Sequence, residues 1–118
     1  MRPITVTIPA GQGSFPAYSN WVRLDEWSDP PVGVQVAVSG TVNYTVQHTF
    51  DTGPDDLISP IPIANMFWDT SLIPAGAIGG TAGISFSIPT APIWMRIALN
   101  SGSGSVRMVV SQYNVVEV

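Results

Sequence analysis

Apolar residues along this chain recur mostly at every second position. Ile4, Val6 and Ile8 alternate with Thr5 and Thr7. Val32, Val34, Val36 and Val38 alternate with Gly33, Gln35 and Ala37. Val42, Tyr44, Val46, His48 and Phe50 oppose Thr41, Asn43, Thr45, Gln47 and Thr49. Ile84, Phe86 and Ile88 are spaced by Ser85 and Ser87, and Ile93, Met95, Ile97 and Leu99 by Trp94, Arg96 and Ala98. Val106, Met108 and Val110 follow a turn over 100–104. Trp21 and Arg23 alternate with Val22 and Leu24 more weakly. A period of two puts one side of a strand on a core and the other in water. The 41–50 strand is the cleanest case, with its Thr, Asn and Gln residues expected to form a solvated ladder.

Two places resist a simple reading. Tyr113 and Val115 fall on odd positions where Val106 to Val110 fall on even ones, so a bulge near Ser111–Gln112 is expected. At Ser39–Gly40 three arrangements stay open. A two-residue hairpin sets the valine row opposite the threonine ladder, a three-residue loop keeps both apolar rows together, and a crossing takes the chain to a second sheet.

Composition agrees with the pattern. Val (14) and Ile (11) far outnumber Leu (4), as pleated surfaces favour β-branched side chains. The 11 glycines and 11 prolines are spread along the chain and punctuate short strands. No segment of convincing length has a helical period. The expected fold is all-β: an antiparallel β-sandwich or jelly roll of seven or eight short strands, with a closed barrel second. At 118 residues the chain is expected to be one domain. Its expected irregular parts are an N-terminal arm (1–20), with a Gly/Pro-rich loop at 9–20, and a proline-rich loop (51–64). The apolar strip Pro60–Ile63 is expected either to cap the sandwich or to dock on a neighbouring subunit.

Charge removes several functions. Four arginines face eight carboxylates, there is no lysine, and only 10% of residues are charged. That is too little positive charge for phosphate-driven nucleic-acid binding. No apolar run is long enough for a membrane-spanning helix, and the start of the chain lacks a secretory signal pattern. Without cysteine there is no disulfide, thiolate nucleophile or thiolate-bound zinc. No cofactor and no metal is expected.

The candidate chemistry is sparse. His48 is the single histidine and lies on an apolar strand face, where a hydrogen-bonded core or rim residue is expected. Asp51, Asp55 and Asp56 supply oxygen ligands but lack the spacing of a calcium loop. Asp51-Thr52-Gly53 at a strand end is also the triplet with which retroviral-type aspartic proteases pair two carboxylates across a dimer. The apolar-apolar-Gly segment that such enzymes need is missing from the C-terminal stretch, so an enzyme is not expected. Four tryptophans invite a sugar-binding reading, although their spacing defines no sugar site. Trp94 shares its strand face with Arg96 and is the foremost candidate for an exposed or interfacial aromatic.

Trp21 to Phe50 carries a family resemblance. W-x-x-L-(D/N)-x-W leads into V-x-V-x-V-S-G-T-V-x-Y-x-V-Q-x-T-x-D, followed by a proline loop, an Ala/Gly/Ser segment, an apolar strand with arginine, and N-S-G-S-G-S-V. This order resembles a group of small tailed-bacteriophage proteins encoded among virion structural genes. The resemblance implies a virion protein. It implies most strongly a capsid decoration or cement protein that clamps neighbouring major capsid subunits and stabilises the mature head. A tail or head-fibre accessory protein is the nearest alternative, with a carbohydrate-binding module behind it. The implied partners are the major capsid protein and further copies of the chain, as dimer or trimer. The implied location is the capsid surface, after synthesis in the host cytoplasm. Contacts are expected from Phe15 and Tyr18, from Asp25, Glu26, Trp27 and Asp29 in the 25–31 turn, from Ile61 and Ile63, and from Trp94. The three acids of the turn would meet basic capsid patches or stay solvated.

Overall fold

A computed structural model describes residues 4–24, 32–50, 66–89 and 92–112. They form nine strands: β1 (Ile4–Ile8), β2 (Ala17–Tyr18), β3 (Val22–Arg23), β4 (Val32–Ser39), β5 (Asn43–Thr49), β6 (Ile78–Gly80), β7 (Ile84–Ile88), β8 (Trp94–Ser101) and β9 (Ser105–Gln112). A 3-10 turn, Ala75–Ala77, precedes β6. All pairings between these strands are antiparallel.

One sheet has the order β1-β9-β4-β7; the other has β2-β8-β5-β6, with β3 also on β8. β2 and β3 act as one interrupted strand along β8. In the gap, Ile97 N–H donates to Ser19 Oγ at 3.0 Å and Ser19 N–H donates to Ile97 O at 3.0 Å, so the ladder stays satisfied. Counted this way, the first strand pairs with the last, the second with the seventh, the third with the sixth and the fourth with the fifth. A long hairpin ribbon rolled into two sheets gives this order, which is that of a jelly roll. The sandwich expected from the alternation is therefore present.

Register explains why the valine pattern works. Across the first sheet, Ile4, Val110, Val34 and Phe86 form one apolar row, and Val6, Met108, Val36 and Ile84 the next. The second sheet answers with Tyr44, Val46 and His48 of β5 and Met95, Ile97 and Leu99 of β8, all buried. Pairing between β4 and β9 runs unbroken to Val32 and Gln112, so the bulge expected near Ser111–Gln112 is absent from β9. Tyr113 and Val115 lie outside the described residues.

The Ser39–Gly40 question resolves as a crossing: β4 and β5 belong to different sheets. The β8–β9 connection makes the same crossing beside it. Backbone lies on backbone there, with Gly104 N–H donating to Thr41 O at 2.8 Å. A Cβ on Gly104 would sit 2.2 Å from Ser39 O, so only glycine allows the two crossings to touch. The Gly-rich stretch at 76–83 supplies the short edge strand β6. Residues 4–8 form the ladder strand on β9 that their alternation predicts, while 17–18, within the expected loop or arm, pair with β8.

Candidate functional site

The outward face of the β2/β3–β8–β5 sheet holds the densest chemistry. Alternation turns Arg23, Trp94, Arg96, Gln47 and Tyr18 away from the core, since Val22, Met95, Ile97, Val46 and Leu99 point inward and are buried. The register then places them in adjoining rows: Arg23 beside Trp94, Arg96 beside Gln47, and Tyr18 beside Ala98. Trp21 leaves the chain in the gap between β2 and β3. Trp68 comes from the opposite edge, next to Asp69, which pairs with His48 through Asp69 N–H to His48 O (2.8 Å) and His48 N–H to Asp69 O (3.0 Å).

These side chains form one layer. Trp21 meets Trp68 at 5.4 Å and Trp94 at 5.5 Å between ring centroids, both at 65°. Such tilted contacts set a positive ring edge against a negative ring face. The Arg23 guanidinium lies 5.2 Å from the Trp94 ring centroid. Arg96 lies 4.1 Å from both the Tyr18 and the Trp68 ring centroids, and its Nε–H donates to Gln47 Oε1 at 2.7 Å. Burial lowers the Arg96 pKa, which leaves a guanidinium cationic at any physiological pH. Trp94 Nε1 is buried without an acceptor among the described residues.

The layer continues as a polar strip. A bulge between β5 and β8 inserts Asn100, whose Nδ2 donates to Asn43 Oδ1 (3.1 Å) and Thr45 Oγ1 (3.0 Å). Thr45 Oγ1 also accepts from Gly79 N–H at 3.0 Å. The Thr/Asn/Gln ladder expected to be solvated is only partly so: Thr41 is exposed, Asn43, Thr45 and Gln47 are half-buried, and Thr49 is buried. Thr49 and Ala98 point outward yet are only 1% and 2% exposed. A strand-level pattern cannot anticipate this, because the covering groups arrive from both sheet edges.

Tyr18 and Trp94 thus fall in the cluster. Phe15 is exposed. Asp25, Glu26, Trp27, Asp29, Ile61 and Ile63 lie outside the described residues, as do Asp51, Asp55 and Asp56. Sequence reading missed Arg96 and Gln47 as site residues. Their signal was present: an arginine two positions from a tryptophan on the polar side of a core strand.

His48 sits under this sheet, on the core side. It is fully buried, its Nε2 accepts from Leu72 N–H at 3.2 Å, and its ring meets Phe50 edge-on at 5.7 Å. An accepting Nε2 requires the neutral ring, and Nδ1 has no partner among the described residues. Burial pushes its pKa below the ordinary 6.5, against an opposing pull from Asp69. The Asp69 carboxylate is itself held low, first by Ser71 Oγ–H at 2.8 Å and then by the Thr70 N–H at 2.7 Å. The unfolded chain binds a proton at His48 more readily than the folded one. Stability from this group is complete above pH 6.5 and is lost as pH falls from there through the folded-state value. Thermal melts from pH 7.5 to 5 are expected to show a declining melting temperature, flattened in His48→Gln, whose amide oxygen can still accept from Leu72. An equal slope in both proteins would refute the assignment, since the chain has no other histidine.

Among the described residues no cluster of His, Asp and Glu is placed to hold a metal ion, and no helix is long and apolar enough to cross a membrane. Comparison with protein-family models, with curated proteins and with solved structures finds no match.

Proposed function

We propose that this chain is a structural binding module of a tailed-phage virion, a capsid decoration protein that docks through the aromatic–arginine face of its β8 sheet. The observation that supports docking is the interlocked set Trp21, Trp68, Trp94, Tyr18, Arg23 and Arg96. Tryptophan, tyrosine and arginine dominate the energetic centres of protein interfaces, and lysine and carboxylates are depleted there. A rigid set loses little side-chain entropy on binding. The choice of a capsid partner rests on the resemblance of residues 21–106 to small virion proteins. Each copy on a lattice would bind weakly, and many identical contacts would act together to brace the shell.

The same packing weighs against a sugar platform. A sugar ring needs an open, flat aromatic face. Here guanidinium groups lie over the rings of Trp94, Trp68 and Tyr18, and Trp21 crosses its neighbours at 65°.

Two measurements test the proposal. Mass spectrometry of purified phage particles is expected to find the protein in a simple ratio to the major capsid protein. In cosedimentation with expanded capsids, Trp68→Ala is expected to weaken binding about 30-fold, the scale of an interface hot spot. A handful of copies per particle would move the protein to the tail or a fibre. Unchanged binding by Trp68→Ala would remove the face from the interface.

A further inference from the structure

Arg96 is held unlike any other cation among the described residues. Tyr18 and Trp68 both lie 4.1 Å from it, and the 2.7 Å bond from Nε to Gln47 fixes its rotation. That uses one of five N–H donors. The two terminal nitrogens have no acceptor among the described residues. Asp69 is the only carboxylate among those residues, and it is occupied by Ser71 and Thr70. Such a guanidinium is partly desolvated, already oriented, and has no counter-charge among the described residues. Its terminal edge has the spacing of a carboxylate's two oxygens.

We propose that Arg96 is a preformed carboxylate seat, taking an aspartate or glutamate side chain of the partner protein as a two-pronged pair. The occupant is an acidic side chain because the surrounding rings suit a protein interface and because the acidic chain as a whole repels polyanions. Tyr18 and Trp68 keep the guanidinium flat and shield the pair from water, which strengthens it. This deepens the docking proposal and rests on it, so its test has an arm that needs no capsid.

In that arm, sodium acetate is titrated into full-length protein labelled with nitrogen-15 at arginine, with sodium chloride at matched ionic strength as reference. The Arg96 side-chain signals are expected to shift with acetate, while those of Arg107, exposed on the other sheet, follow the chloride reference. Equal behaviour of the two arginines would overturn the seat. In the second arm, Arg96→Lys keeps the charge but loses the fork and the stacking. It is expected to bind expanded capsids about tenfold more weakly, with Arg107→Lys at the wild-type level. Thermal melts of both variants check that they are folded. Wild-type binding by Arg96→Lys overturns the seat, and the docking face then stands if Trp68→Ala still releases the protein. Capsids that fail to bind even the wild type sink the docking proposal and with it the partner's carboxylate, while the acetate arm separately decides whether Arg96 selects carboxylates.

Discussion

Replacing Ile97 by alanine is expected to lower the unfolding free energy by about 3–4 kcal/mol. Ile97 is fully buried and sits on β8, between the β2/β3 edge and β5. It pairs across the ladder with Val46, which is equally buried. Its side chain points into the sandwich, where both sheets contribute apolar rows. The loss has two parts: the transfer energy of the removed carbons and the cavity they leave. Neighbours on a central strand are held by ladder bonds on both sides, so they collapse poorly into a void. Chemical denaturation should show a lower midpoint with an unchanged slope. A loss below about 1 kcal/mol would mean that the core relaxes around the site, contrary to a tightly packed sandwich.

The second large effect comes from backbone crowding. Gly104→Ala is expected to cost about 3 kcal/mol. The new Cβ would meet Ser39 O at 2.2 Å and Gly40 C and Thr41 N at 2.9 Å, all backbone atoms that cannot rotate away. Relief would require the two crossings to separate and the 2.8 Å bond from Gly104 N–H to Thr41 O to stretch. The control is Gly13→Ala, where nothing lies within 4 Å and a change within about 0.5 kcal/mol is expected. If both substitutions are equally mild, the contact between the crossings is looser than described.

The parity of the strands was legible because hydrophobic burial leaves a residue-by-residue trace. Val32, Val34 and Val36 had to share a face, and so did Met95, Ile97 and Leu99. Partnership between strands leaves no such trace. The valine row of β4 would bury its side chains equally well in a hairpin with β5 or across the sandwich from it. The crossing goes with the close approach of Gly104 to Ser39, a contact between residues about 65 positions apart that no local pattern records. The site was half legible for a related reason. Trp94 could be picked out because it shares a strand face with Arg96, and Tyr18 as an aromatic in the Gly/Pro-rich 9–20 loop. Their union with Trp21, Trp68 and Arg96 depends on segments that reach β8 from opposite edges of the sheet. The polar residues beneath, Gln47 and Thr49, look solvated to any pattern that counts only along one strand.

The jelly-roll pairing also sets the order in which the molecule can come into being. Among the described strands β8 and β9 are the last to leave the ribosome, yet β9 lies between β1 and β4, and β8 between the β2/β3 edge and β5. Until they emerge, β1 has no ladder partner and the two crossings cannot meet. Before then β4 can pair only with β7 and β5 only with β6, so both sheets stay half-built until β8 and β9 close them. Such non-local closure is slow. Every new copy is thus exposed to association with its siblings during synthesis, and the near absence of charge on those strands makes that interval the protein's most vulnerable one.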